Sequence, residues 1–200
     1  MVRATLRLVA TGLMLPVAAG CASRDAGMGS APERSPGSSQ VVVEAIPEDA
    51  LPGAAASAVE LDRSVLAGDA IDVASLGALL SDAGFVAGTE RRFSQTAAGR
   101  RRATARVLAF ETAAGAERYV EWVADHVQEL IGDAQVMRAA GTPAEAVVFV
   151  HEPSGCCHLE TRLFLGAWRR GATVITLKLA GQGVRLSTMV GFASRLDAAV

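Results

Sequence analysis

The chain has 200 residues, with 19 basic and 21 acidic side chains and a formal net charge of −2. That length supports one domain with a substantial core, and the near-balanced charge argues against a nucleic-acid-binding protein that works through phosphate contacts. Half of the residues are apolar but only 4% are aromatic, so the core must be built from Val, Leu and Ala with a few large fillers.

Met1 to Arg7 carries Arg3 and Arg7 and no acid, Leu8 to Val17 is apolar, and Ala18-Ala19-Gly20 leads into Cys21. This is the three-part layout of an export signal. Its apolar stretch is about half of the ~20 residues that a membrane-spanning helix needs. The arrangement resembles the signal sequence and lipobox of bacterial lipoproteins, with Ala18 standing where that pattern usually has leucine. The resemblance implies a signal peptide over residues 1–20, cleavage before Cys21 by signal peptidase II, and acyl chains of the palmitate type on the new N-terminus. Two or more such chains anchor stably where one is marginal. The implied location is the cell membrane, lipid-anchored, on the extracytoplasmic side of the cell envelope.

Ala22 to Gln40 is rich in Gly, Ser, Pro and Ala and cannot bury enough apolar surface to offset its ordering entropy. Val41 to Ile46 is a short apolar patch, and Pro47 to Ala58 returns to Pro, Gly and Ala. We expect a flexible tether over residues 21–58 and a single domain over 59–200.

Asp69 to Ala83 has helical spacing. Thr89–Gln95 and Arg102–Glu111 read as strands around a polar turn. Ala113 to Ile131 shows the clearest helical stripe, with Thr112 as N-cap and Gly132 as the stop. Ala144–His151, Cys157–Arg169 and Thr173–Ala180 read as strands, and Val184–Leu196 as a final helix. A three-residue loop at Arg170-Gly171-Ala172 would place Ala167 opposite Ile175 and Leu165 opposite Leu177. The expected fold is α+β, a mainly antiparallel sheet of about five strands with helices packed on it, in the order α-β-β-α-β-β-β-α. That order resembles the sandwich domains of PsbP-like extrinsic proteins and of bacterial envelope lipoproteins. The likeness rests on element order alone and carries no activity with it.

The unusual constellation is His151-Glu152-Pro153-Ser154-Gly155-Cys156-Cys157-His158. Lipidation of Cys21 would leave Cys156 and Cys157 as an adjacent pair. Three readings stand side by side. A vicinal disulfide of Cys156 and Cys157 suits an oxidising compartment but strains a ring between Cα atoms only about 3.8 Å apart. In the second, Cys157 is a small core residue and the histidines are solvated. In the third, His151, Cys156 and His158 form a metal or redox site, since thiolate and imidazole suit zinc or copper. Arg91, Arg92, Arg100, Arg101, Arg102 and Arg106 crowd one hairpin, either as an anion-binding patch or as a solvated turn with acidic partners across the strands. No G-x-S-x-G, H-E-x-x-H or phosphate-loop motif occurs. The sequence therefore predicts no catalytic residue and no cofactor. It predicts a non-enzymatic domain that binds a protein or small-molecule partner in the envelope. A thiol or metal handler, and a lipid-binding module with an apolar cleft between sheet and helix, are the alternatives.

Overall fold

Alternation along the strands creates two apolar faces, and the chain covers both. The computed structural model describes residues 46–68, 70, 72–95, 100–137, 141–143, 146–151 and 161–200. Within them the strands are β1 (Ala55–Leu61), β2 (Phe85–Gln95), β3 (Arg101–Phe110), β4 (Gln135–Met137), β5 (Val147–His151), β6 (Thr161–Arg170) and β7 (Thr173–Gln182). The helices are α1 (Arg63–Gly68), α2 (Val73–Asp82), α3 (Ala113–Asp125), α4 (Val127–Ile131) and α5 (Leu186–Ala199). One antiparallel sheet runs in the order β1-β2-β3-β7-β6-β5-β4.

The class is α+β, but the expected five strands are seven among the described residues. β1 and β4 are the additions, and each is an edge strand. β1 reads Ala-Ala-Ser-Ala-Val-Glu-Leu and is exposed at every position except Leu61. It is held by backbone pairing to β2 rather than by an apolar face, so it leaves little periodic signal. Packing also starts earlier than residue 59. Ile46, Ala50 and Leu51 are buried, and Arg195 Nε donates to the Ala50 carbonyl at 2.8 Å. The apolar residues that punctuate the Pro/Gly-rich stretch thus anchor it.

One face carries Phe93, Ala103, Ala105, Val107, Phe164, Trp168, Ile175, Leu177 and Leu179. It packs against Met189, Phe192, Ala193 and Leu196 of α5 and against the 46–51 segment. Phe93 and Phe192 meet edge to face at 5.2 Å. Each such side chain contributes about 1.5–3 kcal/mol on burial. Trp168 Nε1 donates to Asp197 at 3.1 Å, and Arg170 grips the same carboxylate through Nε and Nη2 at 2.8 and 2.7 Å. This fork fastens the end of α5 to β6, and it raises the Arg170 pKa through the hydrogen bond and charge of Asp197.

The β6–β7 register differs by one residue from the sequence expectation. The turn has two residues, Gly171 and Ala172, and pairs Arg170 with Thr173, Trp168 with Ile175 and Phe164 with Leu179. Gly171 sits at φ +56°, a conformation that tight hairpins reserve largely for glycine. The observed register joins Phe164 and Trp168 to Ile175, Leu177 and Leu179 as one floor for α5. It sends Thr176 and Lys178 to the other face.

That other face carries Leu61, Leu108, Val174, Leu165 and Phe149 under α1 to α4. The helix expected over Asp69–Ala83 is the shorter α2, and α1 precedes it over residues where the sequence reading placed no helix. Asp62 accepts from Val65 N at 2.8 Å at the start of α1, which lowers its pKa, and Asp72 accepts from Ser75 N at 3.0 Å at the start of α2. Thr112 caps α3 as expected, accepting from Gly115 N at 3.0 Å. Gly115 lets α3 lie against the end of α2, since a Cβ there would fall 1.9 Å from the Ala83 carbonyl oxygen. The predicted single helix from Ala113 to Ile131 breaks at His126 (φ −104°, ψ 18°).

Candidate functional site

The floor of the site comes from the second face of the central strands. Glu90 on β2 pairs with Arg106 on β3, and Arg106 with Thr176 on β7. The next same-face row runs Arg92, Thr104, Lys178, Leu165. Strand alternation puts these polar residues side by side, on the face that elsewhere forms the apolar seat of α1 to α4.

Glu90 is fully buried. Arg106 reaches its Oε2 through Nε and Nη2, each at 2.6 Å, and Arg92 Nε donates to its Oε1. Burial pushes the Glu90 carboxyl up, but the Arg106 charge and the hydrogen bonds from both guanidiniums outweigh it and hold the pKa below the usual carboxylate range. Lys178 Nζ donates to the Leu130 carbonyl at 3.0 Å, linking β7 to α4 across the opening.

Above this floor lies a cleft of about 410 Å³. Leu66 of α1, Leu76 of α2, Tyr119, Trp122 and Val123 of α3, and Leu130 of α4 form its apolar walls, while Glu90, Arg92, Thr104, Arg106, Thr176, Lys178 and Glu129 supply the polar lining. Aromatic contacts continue along α3. Tyr119 stacks near Trp122 at 6.0 Å, and Trp122 on His126 at 4.5 Å with an interplanar angle of 20°. His126 Nδ1 lies 2.9 Å from the Trp122 carbonyl. A carbonyl only accepts, so that nitrogen carries the proton. The indole Nε1 of Trp122 is buried with no hydrogen-bond partner among the described residues.

Of the residues singled out from sequence, Cys21, Cys156, Cys157 and His158 lie outside the described residues. His151 ends β5 opposite Leu163, and its Nδ1 donates to the Asp133 carbonyl. Among the described residues, no group of three or more His, Cys, Asp and Glu is placed to hold a metal ion. The arginine hairpin divides between faces. Arg92 and Arg106 turn to the cleft, while Arg91 pairs with Glu48 at 3.2 Å on the other side. Sequence reasoning missed Glu90. The signal was present, because Glu90 and Arg92 alternate onto one face once Thr89–Gln95 is read as a strand.

No family model matches the chain, and no curated protein matches its sequence. Among solved structures it is similar to the extracellular domain of PknH from Mycobacterium tuberculosis, at 13% identity and a TM-score of 0.52. The two share a fold. The match covers 81% of this chain and 90% of that domain, and at this identity it speaks for architecture alone. Among the described residues, no helix is long and apolar enough to cross a membrane.

Proposed function

We propose that this chain is a lipid-anchored extracytoplasmic protein whose domain binds a small molecule in the cleft beneath α1 to α4, without catalysing a reaction. The observation that carries the binding role is the cleft itself. Its volume falls in the range of roughly 300–1,000 Å³ typical of small-molecule sites, and such sites combine apolar walls with a few fixed polar groups. The polar groups here stand on paired central strands and hold one another in place through Glu90. The walls come from short helices, including a break at His126, over a continuous sheet. The export signal and Ala18-Ala19-Gly20-Cys21 support the anchored location, and the same fold serves the extracellular domain of PknH from Mycobacterium tuberculosis.

Two experiments test this. Protein purified from its native membrane should carry a non-covalent small-molecule adduct in native mass spectrometry, and Trp122→Ala should lose it. Adduct-free protein whose tryptophan emission is unmoved by an extract of the same membrane refutes the binding role. For the anchor, Cys21→Ser should yield either a protein released from the membrane or an unprocessed precursor. A variant that stays processed and membrane-bound refutes lipidation.

A further inference from the structure

Independently of the binding role, we infer that β1 is the contact edge of a homodimer, pairing antiparallel with β1 of a second copy so that two sheets become one. The two edges of the sheet are built differently. β4 has three residues, and so short an edge offers little to pair with. β1 has seven residues, holds an unbroken register with β2, and carries no proline, lysine or arginine. Among the described residues, nothing pairs with its outer side. An edge of this length without such guards is a template for another strand. Thr89 Oγ1 donates to the Val59 carbonyl at 3.2 Å, so the backbone groups of Val59 turn toward β2. Alternation then turns those of Ala56, Ala58 and Glu60 outward.

The side chains of β1 select the occupant and the register. The strand has one charge, Glu60, and one large exposed apolar side chain, Val59, at 42%. A two-fold axis at Val59 sets that valine against the partner's Val59 as a non-hydrogen-bonded pair, the arrangement that brings side chains closest. Ala58 and the partner's Glu60 then exchange backbone hydrogen bonds, as do Glu60 and the partner's Ala58. Ala58 stands beside Arg91 of β2, so the partner's Glu60 comes into line with that guanidinium across a methyl group. The present partner of Arg91, Glu48, is 85% exposed and screened by solvent, which leaves Arg91 able to attract a second carboxylate. One segment thus supplies valine for valine and carboxylate for cation, as an isologous contact requires. Moving the axis to Ala58 would set Val59 against the partner's Ser57 and bring the partner's Glu60 to Ala56, beside Phe93 instead of Arg91.

Sedimentation equilibrium of the full chain in detergent should show a dimer. Ala58→Pro removes an outward N–H at an edge position where proline is tolerated. It should keep the far-UV circular dichroism spectrum and weaken the dimer at least about tenfold. Val59→Lys leaves the backbone bonds intact and sets like charges face to face, so it should weaken the dimer as well. Val59→Cys should give a disulfide-linked dimer whose cross-linked peptide holds residue 59 of both copies, because a non-hydrogen-bonded pair keeps Cα atoms about 4.5 Å apart. Ser57→Cys should not link to itself, since the two copies of that position lie roughly 14 Å apart along the strands. A chain that stays monomeric overturns the proposal, as does a dimer that Ala58→Pro and Val59→Lys both leave intact. Ser57→Cys linking as readily as Val59→Cys overturns the pairing. Slow hydrogen exchange at the Ala58 and Glu60 amides of a monomer would assign the edge to the chain's own residues 41–45 and likewise overturn it.

Discussion

Replacing Arg106 by methionine should destabilise the domain by about 3 kcal/mol. The magnitude follows from what is left behind. The Glu90 side chain is 1% exposed and that of Arg106 22%, whereas Arg92 is 62% exposed and its charge is screened by solvent. Removing one partner from a buried ion pair costs roughly 3–5 kcal/mol because a buried charge loses its compensation. The remaining Arg92 places the cost at the low end. Adding Glu90→Met should then recover about 2 kcal/mol of that loss, since exchanging both buried charges for apolar groups of similar volume is often neutral. Urea denaturation followed by circular dichroism measures all four species of the cycle, and a constant m-value validates the comparison. The reasoning is refuted if Arg106→Met costs less than about 1 kcal/mol, or if the double variant loses as much as the two single variants together.

Other outcomes follow from the same structure. Because the Glu90 pKa is lowered on folding, the unfolded chain binds more protons in acid. The stabilisation from Glu90 is therefore complete above its unfolded value, about 4.3, and is lost as pH falls through the folded value; urea midpoints across an acid series should fall less steeply for Glu90→Gln than for the native protein. Gly115→Ala should lower the melting temperature even though alanine favours helix, because a Cβ 1.9 Å from the Ala83 oxygen forces α3 and α2 apart, at a cost of about 1–3 kcal/mol. Asp197→Ala should cost about 1–3 kcal/mol by orphaning the buried Trp168 N–H, while Asp197→Asn, which keeps an acceptor, should cost less in the same denaturation assay.

Helical periodicity made α3 legible, because Ala116, Tyr119 and Val123 all turn to one buried stripe. Its interruption at His126 was not, since the apolar spacing continues through Val127 and Ile131 on the far side. β1 escaped notice for the opposite reason. An edge strand facing solvent on both sides has no pattern to enforce. The β6–β7 register turned on whether Arg170 belongs to the loop or to the strand, a decision made by the Gly171 backbone and by the bulk of Trp168 against α5. Glu90 and its two arginines needed only alternation and a cross-strand pairing. The cleft needed more: it exists because α3 and α4 stand off from the sheet over a polar strip, a distance that no local pattern encodes.

Neighbouring residues on the central strands belong to different tasks. On β3, Thr104 and Arg106 line the cleft, while Ala103, Ala105 and Val107 fill the core beneath α5. On β7, Thr176 and Lys178 alternate with Ile175, Leu177 and Leu179 in the same way. Ala103, Ala105 and Val107 of β3 and Ile175, Leu177 and Leu179 of β7 are therefore constrained by packing beneath α5, whereas Thr104, Arg106, Thr176 and Lys178 are constrained by the cleft. Under the binding role proposed above, Thr104, Thr176 and Lys178 could change over generations while the core beneath α5 stayed untouched.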